Sequence, residues 1–268
     1  RVLARNLTSQ RDWDNFSLEV FRFHASENEV YRRYIGLRGV KAERVTGISQ
    51  IPHIPISVFR DHEVGVALPD PPERIFRSSG TTSTKASDRS AHHVDDLSWY
   101  EEVAQRGFER EYGPVQELPL LTLLPGYRER PDSSLIHMAR HFKDLQNTEE
   151  NFMNTEPLAS QIASLQRLSD RPTLLLGVTF ALLDWVDTLL KDGSADLPFD
   201  PARLIVMETG GMKGRRTEWT REEVHERLAR ALPQAAIHSE YGMTELMSQA
   251  YARKEGKFEA PPWLRVTI

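Results

Sequence analysis

Three short stretches of this chain concentrate groups that do chemistry on anions. The first is Arg77-Ser78-Ser79-Gly80-Thr81-Thr82-Ser83-Thr84-Lys85, with six hydroxyls, one glycine and two cations in nine positions. Glycine lets the backbone turn so that successive N–H groups converge, hydroxyls add donors and cations offset charge, which together make a cradle for an anion or a polyphosphate. The same composition also describes a solvated loop. The second stretch is Ser239-Glu240-Tyr241-Gly242-Met243-Thr244-Glu245, directly after an apolar run. Here an aromatic ring can stack on a base, a threonine hydroxyl can reach a phosphate and a carboxylate can hold Mg²⁺. Alone, the segment also reads as a turn into a helix. The third, Met207-Glu208-Thr209-Gly210-Gly211-Met212-Lys213-Gly214-Arg215-Arg216, has three glycines that permit close backbone approach, or else make a helix stop with a basic turn.

The elements that must position these groups follow from periodicity. Leu118 to Leu124, Thr173 to Val178, Arg203 to Met207 and Ala235 to His238 read as short buried strands. Helical patterns cover Asp96 to Tyr112, Ser133 to Leu145, Pro157 to Leu168, Phe180 to Lys191 and Trp219 to Leu232, with Thr220 and Glu223 spaced as a capping box. Strands alternating with helices predict an α/β fold with a mainly parallel sheet covered by helices, whose ligands bind beyond the carboxyl ends of the strands. Upstream, Phe16, Val20, Phe23, Val30, Tyr31 and Tyr34 predict one or two amphipathic helices. The prolines of Ile51-Pro52-His53-Ile54-Pro55-Ile56 make that run an extended connector. Residues 1–72 therefore read as a helical and extended lead-in to a core over 73–268.

Composition removes several function classes. The 268 residues are 39% hydrophobic and 27% charged, as in an ordinary globular protein, and a formal charge of -5 lacks the basic field that nucleic acids require. With no cysteine there is no disulfide, no cysteine-ligated zinc and no thiol nucleophile in this segment, in keeping with a cytoplasmic protein. The most apolar stretch, Leu174 to Leu190, is interrupted by Asp184 and Asp187, so we expect core and no transmembrane segment. The first residues hold no apolar run of signal-peptide length, and the chain starts without Met. The phosphate-binding Gly-x-x-x-x-Gly-Lys-Ser/Thr, the dinucleotide Gly-x-Gly-x-x-Gly and the hydrolase Gly-x-Ser-x-Gly are all absent. His92 and His93 with Asp95 and Asp96, or His137 with His141, can be drawn as metal sites, though surface histidines are common and neither set has the glutamate of a zincin.

The loop at 78–82 resembles the Ser/Thr-Ser-Gly-Thr-Thr phosphate loop of adenylate-forming enzymes, the superfamily of acyl-CoA synthetases, luciferase and peptide-synthetase adenylation domains. Residues 241–245 resemble its Tyr-Gly-x-Thr-Glu motif, and the two stand in the right order about 160 residues apart. Blocks such as Leu123-Leu124-Pro125-Gly126-Tyr127-Arg128, Gly177-Val178-Thr179-Phe180 and Glu208-Thr209-Gly210-Gly211-Met212-Lys213-Gly214 look like the acyl-protein synthetase (LuxE-type) family. That resemblance, which covers nearly the whole chain, implies ATP-dependent activation of a carboxylic, fatty acid as acyl-adenylate and acyl transfer to a protein thiol. A phenylacetate-CoA ligase type, with coenzyme A as acceptor, and a non-catalytic nucleotide-binding module are the alternatives. It implies that Ser78, Ser79, Gly80, Thr81 and Thr82 surround the phosphates of ATP, that Gly210, Gly211, Tyr241 and Gly242 border the nucleotide, and that Thr244 orients the α-phosphate. Glu245 would hold Mg²⁺, and Gly177, Val178, Thr179 and Phe180 would border the acyl group. Residues 1–268 would then be an N-terminal adenylate-forming domain. Departures are also present. Ser83-Thr84-Lys85-Ala86 replaces the usual Gly-x-Pro-Lys, no acyl-accepting cysteine occurs, and the small C-terminal domain with its lysine is expected beyond Ile268.

Overall fold

The computed structural model describes residues 9–66, 70–79, 89–124, 130–148, 157–168, 170–191, 199–210 and 219–267. The chain falls into two compact units, Arg1–Trp99 with Arg265–Ile268, and Tyr100–Leu264.

In the first unit, helices α1 (Gln10–Glu27) and α2 (Glu29–Leu37) pack Leu18, Phe21, Ala25, Ile35 and Val45 into a small core. Each has a built start. Ser9 and Asp12 form a reciprocal capping box on α1, and the Asn28 side chain accepts from the Tyr31 N–H on α2. The proline-rich connector forms no helix or strand over 52–55 and turns at Ile56, where the Val58 N–H donates to the Pro55 carbonyl at 3.0 Å; it is fastened by the Tyr31 and Tyr34 hydroxyls, which donate to the carbonyls of Pro52 (2.6 Å) and His53 (2.8 Å). One helical turn, α3 (Val58–Asp61), follows, and then the antiparallel pair β1 (Arg74–Arg77) and β2 (Ala91–Val94).

The second unit is the expected α/β layer structure. Helix α4 (Leu97–Tyr112), which begins in the first unit, leads into β3 (Leu120–Leu123), α5 (Ser134–Leu145), α6 (Leu158–Arg167), β4 (Thr173–Gly177), α7 (Thr179–Lys191), β5 (Leu204–Glu208), α8 (Arg221–Ala231), β6 (Ala236–Tyr241) and β7 (Ala250–Ala252). The sheet runs β3-β4-β5-β6-β7, parallel through β6, with β7 antiparallel at the edge. Every residue of β3 and β4 is buried, which is why those strands read as unbroken apolar runs and do not alternate. Strand β7 follows a chain reversal just past the Tyr-Gly-Met-Thr-Glu segment and escapes periodicity because Ala-Tyr-Ala is too short to carry a pattern.

Helices cover both faces of the sheet. On one, Phe108 of α4 packs on Phe142 of α5 and on Tyr251, while the Tyr112 hydroxyl lies 3.0 Å from His238 Nδ1. On the other, Asp187 of α7 pairs with Arg227 of α8, and the Thr220–Glu223 capping box forms as its spacing predicts. No helix of the described residues is long and apolar enough to cross a membrane.

Sheet and α7 meet closely at Gly177, where a Cβ would lie 2.7 Å from Leu182 Cγ and 3.1 Å from Leu123 Cβ. Gly177→Ala should therefore cost about 1–3 kcal/mol through overpacking. Urea unfolding checks this: the midpoint falls while the slope m holds, and an unchanged midpoint would disprove the close fit.

Candidate functional site

The carboxyl ends of β4, β5 and β6 lie side by side, with Gly177 paired to Glu208 and Glu208 paired to Ser239. Four buried apolar or half-buried residues precede Glu208, which is itself buried, so its charge is carried into the protein by the strand. A buried carboxylate survives only with donors. Its Oε2 accepts from the Thr179 hydroxyl at 3.0 Å and the Gly210 N–H at 2.8 Å. Its Oε1 faces Arg221 Nε at 3.3 Å and His225 Nε2 at 3.7 Å, and His225 in turn lies 3.0 Å from Ser239 Oγ. Burial pushes the Glu208 carboxyl up, but hydrogen bonds from His225, Ser239, Gly210 and Thr179 outweigh it and bring it to about 2.

From Glu208 the contacts lead outward to the aromatic residue. The Arg221 guanidinium stands 4.7 Å over the Phe258 ring, and Phe258 meets Tyr241 edge to face at 5.9 Å. Tyr241 itself ends β6 and is 42% exposed, an available ring on a fixed support. Gly242 follows it; a Cβ there would lie 2.4 Å from Glu240 Oε1, so only glycine fits beside that carboxyl as it stands. Thr244 and Glu245, both half-buried, form a turn closed by the Leu246 N–H to the Met243 carbonyl at 3.1 Å.

The other face of β6 carries Glu240, buried among Gln249, Tyr251 and Tyr100. Burial, with the negative charge of Glu208 adding to it, pushes Glu240 up to about 8. Two carboxyl groups near one sheet end are thus held in opposite protonation states at neutral pH.

Of the residues that the sequence singled out, Gly177, Val178, Thr179, Phe180, Gly210, Tyr241, Gly242, Thr244 and Glu245 all belong to the second unit. Gly177 through Phe180 are buried, and the Thr179 hydroxyl is engaged by Glu208. Gly210 is exposed and left-handed, at φ 50°, which glycine adopts without strain. Ser78 and Ser79 lie in the first unit just after β1; the Ser78 N–H donates to Ser90 O and the Ser90 N–H to Ser78 Oγ, closing the base of the hydroxyl-rich loop. Gly80, Thr81, Thr82 and Gly211 lie outside the described residues. The histidine pairs have other company. His93 Nδ1 is 2.7 Å from Glu63, His137 Nε2 is 2.9 Å from Glu101, and no metal-holding cluster of His, Asp and Glu occurs among the described residues.

Sequence reasoning quoted Glu208 and Glu240 but assigned them no role, and it missed Arg221, His225 and Phe258. The signal for Glu208 was present, because a carboxylate closing the run Leu-Ile-Val-Met must be buried with partners. His225 and Arg221 lie on an amphipathic helix where nothing local separates them from solvated charges.

No protein-family model matches the chain, and no curated protein matches it either. Among solved structures, it is similar to 2-hydroxyisobutyryl-CoA ligase in the postadenylation state in complex with R3-HIB-AMP, with a TM-score of 0.59 and 12% identity over 92% of this chain. The chain spans about half, 52%, of the length of that structure. At this identity the likeness concerns the fold.

Glu208→Gln should cost roughly 1–3 kcal/mol at neutral pH, the scale of hydrogen bonds to a charged group. Because the folded carboxyl titrates at about 2, below its ordinary 4.5, its stabilisation is present above about pH 4.5 and fades as pH falls towards 2. Thermal unfolding of both proteins between pH 7 and pH 3 reads the difference, and one that does not shrink with acid would contradict the ionised assignment. With the α/β layers, the pairing of strand ends and the fold likeness together, the chain shares the fold of about half of that CoA ligase.

Proposed function

We propose that this chain is the nucleotide-binding part of an enzyme that activates a carboxylic acid as its acyl-adenylate, using ATP and Mg²⁺. The observation that carries the reading is the placement of Tyr241-Gly242-Met243-Thr244-Glu245 at the carboxyl end of β6, with the left-handed Gly210 just past the end of the neighbouring β5, on a fold shared with a CoA ligase in its postadenylation state. The residues suit such a ligand. Tyr241 offers an exposed ring for adenine, Gly210 offers backbone without a side chain, and Glu245 offers a half-buried carboxylate for the metal.

In the reaction, a carboxylate oxygen of the acid attacks the α-phosphorus and the bond to the bridging oxygen breaks, so that pyrophosphate leaves with the electron pair. Charge develops on the phosphoryl oxygens, where the Thr244 hydroxyl would donate a fixed hydrogen bond. Bound Mg²⁺ supplies charge neutralisation at the phosphates. Ser78, Ser79, Gly80, Thr81 and Thr82 would surround the phosphates, and Gly211 and Gly242 would border the nucleotide. Gly177, Val178 and Phe180 would form the acyl boundary. Thr179 supports that boundary indirectly, since its hydroxyl holds Glu208. No protein nucleophile is required. The acyl group would pass to a thiol, a protein cysteine by the acyl-protein synthetase resemblance. The named neighbour, a CoA ligase, favours coenzyme A as the second reading.

ATP or AMP at 100 times its dissociation constant should stabilise the chain by about 2.7 kcal/mol. Tyr241→Ala should weaken that binding about tenfold or more, as loss of a stacked base does. Glu245→Gln should chiefly abolish its Mg²⁺ dependence. Calorimetry with and without Mg²⁺ separates the two effects; nucleotide binding unchanged in both variants would remove these residues from the site.

A further inference from the structure

Among the described residues, the sheet face that carries Glu240 holds a set of buried polar atoms without partners. Gln249 is 4% exposed and Tyr251 2%, yet no described residue makes a hydrogen bond to Gln249 Oε1, to the Tyr251 hydroxyl or to Thr209 Oγ1. Glu240, 6% exposed, is directly opposite Tyr251 in the ladder, so the two side chains share a face. Thr209 extends β5 by one residue through its N–H to the Gly177 carbonyl, and strand alternation puts it on that same face. The position built for a Cβ on Gly242 meets Glu240 Oε1 and Gln249 Cγ together, which places both against the Tyr-Gly-Met-Thr-Glu turn.

The orientation of the Gln249 amide is fixed by its neighbour. The Tyr100 hydroxyl donates its proton to the Ser134 carbonyl at 3.0 Å, so Gln249 must present Nε2 to that oxygen, at 3.4 Å, and turn Oε1 away. The cluster therefore offers four groups that can each accept a hydrogen bond: a carboxyl, an amide oxygen and two hydroxyls. Buried polar atoms of this kind take a ligand or an ordered water. A plain alkyl chain packed here would leave all of them unsatisfied. An ammonium has three donors and no acceptor, and its charge is opposite to that of a carboxylate.

We propose that the acid activated at this site carries a protonated amine, received by Glu240, Gln249 Oε1 and the Tyr251 hydroxyl. The proposal rests on the adenylation reading above and replaces its fatty acid with an amine-bearing one. Burial already holds Glu240 up near 8, and an arriving cation would draw it back to the carboxylate.

The test uses non-hydrolysable sulfamoyl adenosines in calorimetry on the full chain. Alanyl, β-alanyl and γ-aminobutyryl forms are compared with their propanoyl and butanoyl counterparts, and a lactoyl form separates charge from simple hydrogen bonding. At least one amine-bearing compound should bind about tenfold or more tightly than its counterpart, as a charge-assisted contact does. Glu240→Gln should remove that gain, read as the ratio of affinities between each amine-bearing compound and its counterpart on the same protein. No preference for an amine, an equal gain from the lactoyl form, or a gain that survives Glu240→Gln would overturn the proposal. If the preference is missing while AMP still binds, the polar atoms hold water and only this inference falls. If neither AMP nor any analogue binds, the adenylation reading fails first. The comparison of compounds on the unaltered chain decides the matter even if the variant does not fold.

Discussion

The sheet end is organised around one constraint, the buried charge of Glu208. Removing a carboxylate from water is expensive, and it is tolerated only where several donors converge with good geometry. Those donors come from α7 (Thr179), the turn after β5 (Gly210), α8 (Arg221 and His225) and β6 (Ser239). Four segments must therefore be in register at once. Arg221 then carries the constraint outward, since its guanidinium stands on Phe258 and Phe258 supports Tyr241. An exposed aromatic residue gains a defined position this way without being buried itself.

Period-two alternation separates the consequences of this charge between the two faces of the sheet. Glu208 and its paired Ser239 face α7 and α8, where donors are plentiful, and the carboxyl is ionised. Glu240, the next residue along β6, turns to the α4 face among tyrosines and a glutamine, where burial keeps its proton on. The difference lies in the helices that each face meets and not in the residue type. The apolar run before Glu208 announces that it is buried with partners, but nothing local announces which donors either glutamate meets.

Legibility in the sequence followed the range of the physics involved. Strands β3 to β6 and helices α4 to α8 were readable because apolar periodicity and capping are local. The Thr220–Glu223 box shows this at single residues. Strand β2 was not readable, because its His-rich, half-buried residues alternate weakly, and neither was the three-residue β7. At the site, Tyr241, Gly242, Thr244 and Glu245 were visible as a motif. The network behind Tyr241 and Gly242 was not, since Glu208 is joined to Thr179 across 29 positions and Tyr100 to Gln249 across 149. Such partners are set by strand order, which periodicity does not encode.

The electrostatics of this sheet end also differ from a count of charges. Glu208, Glu240 and Glu245 would together repel a polyphosphate if all three presented a full negative charge. Glu208 does not, because Arg221 and His225 stand against it and its oxygens are occupied. Glu240 is neutral below about pH 8. Of the three, Glu245 is the half-buried one on a turn, the residue that would hold Mg²⁺ in the site proposed above. Pairing at Glu208 and burial at Glu240 thus remove the repulsion at two positions, so that an acidic sheet end could still receive the anionic ligand proposed for it.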